Sequence, residues 1–189
     1  MSLIHRSLIL LQLPLLGLSL PASMALKFIS PVQAQIAPLA QTQKPDFIPH
    51  LLQTAKQHYR RAEFKQAIAL YQQALKTATQ AKNSSAELEA LLYLADMDLA
   101  NGQLADAETK IQQALKLAQQ VANRASEAEA LAALSAYHRL QGNYSQALEK
   151  AETALAMAQQ AGDRRVETRS RFMLGIALYF RADYAKALD

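Results

Sequence analysis

The sequence contains no cysteine and no tryptophan, and only five of its 189 residues are glycine. Without cysteine the chain has no disulfide, no thiol nucleophile and no cysteine-based metal site. All six prolines lie at or before Pro49, so positions 50–189 contain none. A long stretch that lacks proline, has little glycine and is rich in Ala, Leu, Gln, Glu and Lys favours long helices. No alternating β-branched run or Asn-Gly pair indicates a strand or a hairpin.

The excess of positive charge is small. The formal net charge is +4 at pH 7, and Arg6 and Lys27 contribute two of these charges within residues 1–34, which contain no acidic residue. The rest of the chain holds 18 basic and 16 acidic residues. This near balance gives no electrostatic argument for nucleic acid, and aromatic residues are not interleaved with the basic ones. We therefore expect no nucleic-acid partner.

Positions 1–34 have the order of a secretory signal peptide. A short basic head, MSLIHR, precedes an apolar segment that is too short for an ordinary membrane span and is interrupted by Pro14 and Gly17. Cleavage fits after Ala25 or after Ala34, and we favour Ala34 because small residues occupy both recognition positions before it. The sequence thus predicts an exported protein, periplasmic or secreted, with no stable membrane span after cleavage. The alternative is an uncleaved N-terminal anchor.

Residues 35–46 are polar, contain proline and show no period, which predicts a flexible linker. From residue 47 to residue 189 the chain repeats itself at the fixed spacing that separates Phe64 from Leu104, with no insertion or deletion. Fixed-period similarity of this quality indicates a repeat architecture. The coinciding positions are apolar or small and include Phe64, Leu104, Tyr144 and Tyr184, then Ala67, Ala107, Ala147 and Ala187, then Leu94, Leu134 and Leu174.

Each unit contains two helical patterns, and the fourth unit is truncated. We place hairpins at about 47–81, 85–121 and 125–161 and a further first helix at about 164–181, after which a second helix only begins. Because one hairpin cannot bury its own apolar face, the units must stack, which predicts an all-α, right-handed α-solenoid of about three and a half units. The uncapped C-terminal end indicates a fragment or truncated reading frame, or else an end that a partner covers.

The turns and the alanines carry more specific predictions. We expect Gly142 to adopt the left-handed conformation at a helix end, and Asp163 to cap the helix that follows it. In the turn before the second unit, Ser84 or Ser85 could play the capping role. Close helix crossings need small side chains, so the pattern predicts contact points at Ala147 and Ala154, with Tyr144 and Leu155 filling the spaces between them.

The order of these residues resembles the tetratricopeptide repeat. The third unit matches it at Leu134, Ser135, Gly142, Tyr144, Ala147, Ala154 and Leu155. The usual period of that family is about 34 residues, whereas this chain has the period of about 40 residues that is found in kinesin light chains. The closing proline of the family is absent, and the aromatic residue of the second helix is replaced at Ile111 and Ala151. Both replacements are compatible with a helix.

The resemblance implies that the first helices of the units line a concave groove that binds other proteins or peptides. Position by position, the resemblance implies partner-binding residues at Lys56, Tyr59, Glu89, Asp96, Leu99, Glu129, Arg139, Arg169, Phe172 and Tyr179. This set is acidic in the middle and basic at both ends. The paired Asn and Lys residues with which some family members clamp a C-terminal carboxylate have no counterpart here, so that specificity is not transferred.

The sequence gives little support for catalysis or metal binding. The sequence contains no metalloprotease motif, phosphate loop or serine elbow, so we expect no catalytic residue, no metal site and no cofactor. His50 and His58 are eight residues apart and are better explained as surface histidines than as metal ligands. Two basic clusters, at residues 56–65 and 164–171, are either a docking site for an acidic partner or a solvated face with Glu167 paired to Arg171.

The sequence therefore predicts an exported, non-enzymatic interaction module. One alternative is the regulatory N-terminal array of a larger effector, such as a CHAT-type caspase-like protease. Another is a structural array that self-associates through its uncapped C-terminal end.

Overall fold

A computed structural model of the chain describes residues 47–181, and within this range the protein is entirely helical. The predicted signal peptide and linker at residues 1–46, and the predicted start of a further helix at residues 182–189, lie outside the described residues. The helices are α1 Phe47–Arg60, α2 Phe64–Gln80, α3 Ser84–Ala100, α4 Leu104–Gln120, α5 Arg124–Leu140, α6 Tyr144–Ala161 and α7 Arg164–Phe180.

These bounds confirm the predicted hairpins α1–α2, α3–α4 and α5–α6 and the further first helix α7. The turns between the helices recur at half the period of the sequence repeat. Each turn contains one residue with a φ between 53° and 79°: Ala62, Lys82, Gly102, Ala122, Gly142 and Gly162. The left-handed conformation predicted for Gly142 is confirmed. Three of the six turns adopt the same conformation without glycine, so the requirement of the chain to reverse direction overrides the local preference of Ala and Lys.

The turns between units differ from those within units in their side-chain caps. Asn83 accepts a hydrogen bond from the backbone N–H of Ala86, at 3.1 Å, and Asn123 does the same for Ser126, at 3.0 Å. Asp163 accepts from both Arg165 and Val166, which confirms its predicted role as an N-cap. The turns within units, which end at Glu63, Gln103 and Asn143, have no such side-chain bond.

The prediction that Ser84 or Ser85 caps the second unit was wrong. Ser84 is already the first residue of α3, and Asn83 precedes it as the cap. The amide oxygen of Asn83 reaches an N–H that the first turn leaves without a partner, so a serine cap one residue later has no role.

Small residues bring the helices of each hairpin close together. The alanines that recur along α2, α4 and α6 have no exposed surface: Ala67, Ala74, Ala78, Ala107, Ala114, Ala118, Ala147, Ala154 and Ala158. The contact points predicted at Ala147 and Ala154 are thereby confirmed. Tyr144 does not fill an interior space as predicted, because it lies at the first position of α6 and is 36% exposed. Its ring instead stacks on Phe180, with centroids 5.6 Å apart.

The aromatic position of the second helix stays buried when its size changes. Tyr71, Ile111 and Ala151 occupy equivalent positions in α2, α4 and α6, and none of them has exposed surface. Tyr71, the largest of the three side chains, stacks on Tyr93 of α3, with ring centroids 4.8 Å apart and an interplanar angle of 10°. Each unit therefore keeps its core closed with a different set of side chains, which is why the replacement of the aromatic is compatible with the fold.

The first helices lie side by side: α1 packs on α3, α3 on α5, and α5 on α7. We call the surface that these four helices share the concave face. At the C-terminal side of the described residues, Ala177 and Leu178 of α7 are buried against α6. Of the apolar residues of α7, Phe172 and Phe180 are exposed, whereas Leu178 is part of the core.

Candidate functional site

The concave face contains a cavity of about 300 Å³ to which all four first helices contribute. Since the first helices are parallel neighbours, side chains one or two turns apart on each of them reach the same space. The residues that line it are Lys56 and Arg60 from α1, Ser85, Glu89, Leu92 and Tyr93 from α3, Ser126 and Glu129 from α5, and Arg165 from α7.

An aromatic group supports the cavity on the side of α1 and α3. Tyr93 lines the cavity, and its ring stacks on the buried Tyr71. The ring of Tyr59 contacts the ring of Tyr93 edge-on, with centroids 5.9 Å apart. The Nζ of Lys56 lies 6.0 Å from the centroid of Tyr93. Burial raises the pKa of Tyr93, and the charge of Lys56 opposes that rise. Tyr93 thus remains a neutral phenol that offers both a ring face and a hydroxyl.

Most charges around the cavity pair with one another. Lys56 lies 2.9 Å from the carboxylate of Glu89. The guanidinium of Arg165 donates two hydrogen bonds to the carboxylate of Glu129, at 2.8 and 2.7 Å. These hydrogen bonds raise the pKa of Arg165. Among residues 47–181, Arg60 lines the cavity without forming an ion pair. Within the described part of the chain, the cavity therefore has two neutralised pairs and one cation, Arg60, without an ion pair.

Arg169 extends this network beyond the cavity to α3. Its guanidinium donates two hydrogen bonds to Asp96, at 2.7 and 2.5 Å, and lies 3.6 Å from Glu129. Burial disfavours the charged guanidinium, but attraction to Asp96 outweighs that effect and the pKa of Arg169 is raised. A bidentate pair of this kind fixes orientation as well as distance.

These pairs correct the interpretation of the charge pattern. Arg165 and Arg169 were assigned to a basic cluster that would face solvent or an acidic partner. Arg169 instead binds Asp96 of α3, with 26% of its side chain exposed, whereas Arg165 binds Glu129 of α5 but remains 63% exposed. Arg171 does pair with Glu167, at 2.7 Å, as predicted. The acidic middle and the basic C-terminal part of the predicted groove thus neutralise each other, because stacking brings distant units onto one face.

The structure separates the predicted partner-binding residues into groups. Lys56, Glu89 and Glu129 line the cavity, and Tyr59 contacts its aromatic support. Asp96 and Arg169 lie beside it and bind each other. The remaining members lie elsewhere, namely Leu99, Arg139, Phe172 and Tyr179.

Leu99 was wrongly placed on the groove surface. It is 8% exposed and belongs to a core cluster with Ala107, Ile111 and Tyr137. α3 is packed on both sides, by α4 and by the neighbouring first helices, so the face that carries Leu99 is inside the protein.

Arg139 and Tyr179 meet at a second aromatic group near the C-terminal ends of α5 and α7. The guanidinium carbon of Arg139 lies 5.4 Å from the ring centroid of Phe180, and Tyr179 meets the same ring edge-on. Phe172 is 63% exposed and does not line the cavity. Arg139, Tyr179 and Phe180 thus form a surface distinct from the cavity.

Sequence reasoning missed Tyr93, Ser85 and Ser126 as lining residues. Comparison of the repeat units with one another could not reveal Tyr93, because the equivalent residues one and two units later are Ala133 and Met173. An aromatic residue on a first helix, in a chain where only 6% of residues are aromatic, was the available signal.

Metal binding by the histidines finds no support within residues 47–181. In that range no group of three or more His, Asp or Glu residues is arranged to hold a metal ion. His58 contacts Glu63 across the turn between α1 and α2. None of the described helices is both long enough and apolar enough to cross a bilayer.

The repeat units have known relatives. Residues 86–160 match the family model of the tetratricopeptide repeat. This segment therefore has the tetratricopeptide-repeat pattern. A search of curated proteins finds no match. The fold resembles a crystal structure of nearly identical TPR-like repeats from a protein described as a kinesin light chain of Podosopora anserina, with 17% identity and a TM-score of 0.56, covering 88% of this chain and 87% of that one. A substituted form of those repeats gives a TM-score of 0.59 with the same identity and coverage.

At this identity the solved structures show the fold alone. The prediction of a tetratricopeptide solenoid resembling kinesin-light-chain repeats is confirmed. The tetratricopeptide-repeat fold is consistent with a scaffold for protein–protein interaction.

Proposed function

We propose that the tetratricopeptide array binds a segment of another protein in the cavity of its concave face. The observation that carries the proposal is the composition of the cavity, which draws side chains from all four first helices. A surface shared by four consecutive helices can hold an extended or helical segment along the array, as solenoid proteins do with their concave surfaces.

The lining of the cavity suits a peptide better than an apolar small molecule. Tyr93 offers a ring and a hydroxyl, Ser85 and Ser126 offer hydroxyls, and Arg60 offers a cation without an ion pair in the described part of the chain. The buried Oε1 of Glu89 lies 2.9 Å from the ammonium of Lys56, but at an angle that makes no hydrogen bond. Polar groups with spare hydrogen-bonding capacity match the backbone and side chains of a peptide.

The test compares two adjacent arginines. Peptides enriched from a random display library against the protein are measured for affinity to the Arg60→Glu and Arg61→Glu variants. Both residues are exposed, but only Arg60 lines the cavity. We expect Arg60→Glu to weaken binding about tenfold or more, and Arg61→Glu to have a much smaller effect. Equal losses in the two variants would indicate a non-specific effect of charge and would contradict the proposal.

We also propose that the array is non-enzymatic. Apart from Arg60, the charged side chains of the cavity bind one another, which leaves no nucleophile held beside a free base in the described part of the chain. A catalytic activity of the purified protein that a substitution in the cavity abolishes would contradict this proposal.

Export is a further proposal, and it rests on the sequence of residues 1–34. The intact mass of the product from the cells that make it tests it. We expect a mass that begins at residue 35, or at residue 26 for the alternative cleavage. A product that retains Met1 would contradict cleavage, and a much larger mass would favour the array of a longer effector.

A further inference from the structure

We propose that Arg169 is an internal latch that holds α7 against α3 and thereby sets the width of the cavity. The inference concerns the regulation of the site described above and rests on the proposed function only where it treats the cavity as the binding site. Its conformational part concerns the protein without a ligand.

The first argument is topological. In a solenoid, each unit packs on its immediate neighbours. α3 belongs to the second unit and α7 to the fourth, and α5 lies between them. The Arg169–Asp96 pair nevertheless joins α3 and α7 directly, across 73 residues of sequence. The Arg169–Asp96 pair thus connects units that are not neighbours. It therefore restrains a widening of the concave face, which contacts between neighbouring units do not prevent.

The second argument is geometric. Asp96 receives both nitrogens of the Arg169 fork, and Glu129 of α5 lies 3.6 Å from the same guanidinium. One side chain of α7 thus contacts two of the three preceding first helices, α3 and α5. A planar guanidinium with two hydrogen bonds fixes angle and distance, which a lysine at the same place would not do.

The third argument connects the latch to the cavity. Arg165 lines the cavity from α7, four residues before Arg169, and the opposite wall is formed by Lys56 and Arg60 of α1. Arg165 is itself bound to Glu129, which the latch also approaches. Movement of α7 away from α3 would carry Arg165 with it and separate the two basic walls. The latch therefore determines how far Arg165 of α7 lies from Lys56 and Arg60 of α1 across the cavity.

The experiment uses the absence of cysteine from the chain. Spin labels are attached to the full protein at Gln57→Cys on α1 and Thr168→Cys on α7, two exposed positions outside the cavity lining. Double electron–electron resonance then gives the distribution of distances across the concave face. The variants are Arg169→Gln and Asp96→Asn, which remove the tie from either side, and the control is Arg171→Gln, whose partner Glu167 lies on the same helix.

We expect Arg169→Gln and Asp96→Asn to increase the mean distance and broaden its distribution, while Arg171→Gln reproduces the parent distribution. Helicity measured by circular dichroism establishes that each variant folds. If Arg169→Gln does not fold, Asp96→Asn still tests the inference, because it removes the charge of Asp96 but keeps the shape of the side chain. Distributions of the folded latch variants that superimpose on the parent would overturn the inference. That outcome is independent of peptide binding, so it is distinguishable from a failure of the proposed function.

Discussion

Arg169 of α7 donates two hydrogen bonds to Asp96 of α3, although 73 residues separate them in sequence. Each of the two side chains is about three-quarters buried, with exposed fractions of 26% and 22%. An ion pair in such a position differs from one on an open surface, because removal of one partner leaves the other partly desolvated.

We therefore predict that Arg169→Gln lowers the free energy of unfolding by about 1–3 kcal/mol. A double-mutant cycle with Asp96→Asn should give a coupling energy of about 0.5–3 kcal/mol, measured by chemical denaturation. Arg171→Gln, which breaks a pair within α7 whose arginine is 59% exposed, should change stability by less than about 1 kcal/mol. Additive effects of the two latch substitutions would show that the pair contributes no specific interaction.

A second prediction concerns the left-handed residues of the turns. Ala62 and Ala122 have φ values of 59° and 53°, which glycine adopts without the steric cost of a Cβ. Ala122→Gly should stabilise the protein by about 0.5–1 kcal/mol. Ala69→Gly, at an exposed position in the middle of α2, should instead destabilise it by about 0.5–1 kcal/mol.

The reverse change at Gly142 completes this test. Its φ is 79°, and a Cβ built there would have no neighbour within 4 Å. Gly142→Ala should therefore cost about 1–2 kcal/mol through backbone strain alone. Melting curves that show the same sign for Ala122→Gly and Ala69→Gly would contradict the assigned turn conformation.

The third prediction concerns the close approach of the helices in a hairpin. Ala154 and Ala156 lie on the same helix, but Ala154 has no exposed surface whereas Ala156 is exposed. Ala154→Leu should destabilise the protein by about 1–3 kcal/mol or more, because the added atoms have no space between α6 and its neighbours. Ala156→Leu should leave the denaturation midpoint nearly unchanged. A tolerated leucine at Ala154 would show that the helices are less closely packed than described.

The fourth prediction concerns pH. Burial lowers the pKa of His138, and nearby Lys150 lowers it further, while Glu108 and Glu149 oppose this effect. The unfolded chain then binds more protons than the folded one, so stability should decrease as the pH falls below about 6.5. His138→Gln should reduce that decrease in thermal melts between pH 7 and pH 5, whereas the exposed His50→Gln should not. An unchanged slope in His138→Gln would mean that other groups cause it.

The repeating part of the fold could be predicted from the sequence because it depends on local patterns. The fixed period placed every hairpin, and Asp163 and Gly142 marked a helix start and a turn. The recurrence of left-handed turn residues at half the period of the sequence repeat could not be predicted. Ala62, Lys82 and Ala122 are not residue types that normally indicate a left-handed conformation.

The candidate site was less predictable, since it depends on contacts between units. The sequence placed Asp96, Glu129 and Arg169 on one face but gave no means of deciding that they would bind one another. It also assigned Leu99 to that face, although the packing of α4 covers it. Side-chain pairing over 73 residues is set by the stacking of the units and not by any local pattern.

The central claim is that the concave face binds a peptide segment, and nuclear magnetic resonance of the isotopically labelled protein tests it most directly. A peptide obtained by the library selection would be added while the backbone amide signals are followed. The account predicts that the largest changes occur on α1, α3, α5 and α7 around the cavity, at residues such as Arg60, Tyr93 and Ser126. It predicts small changes at exposed positions of the second helices, such as Gln73, Gln112 and Glu152. Largest changes on α2, α4 and α6 would contradict it.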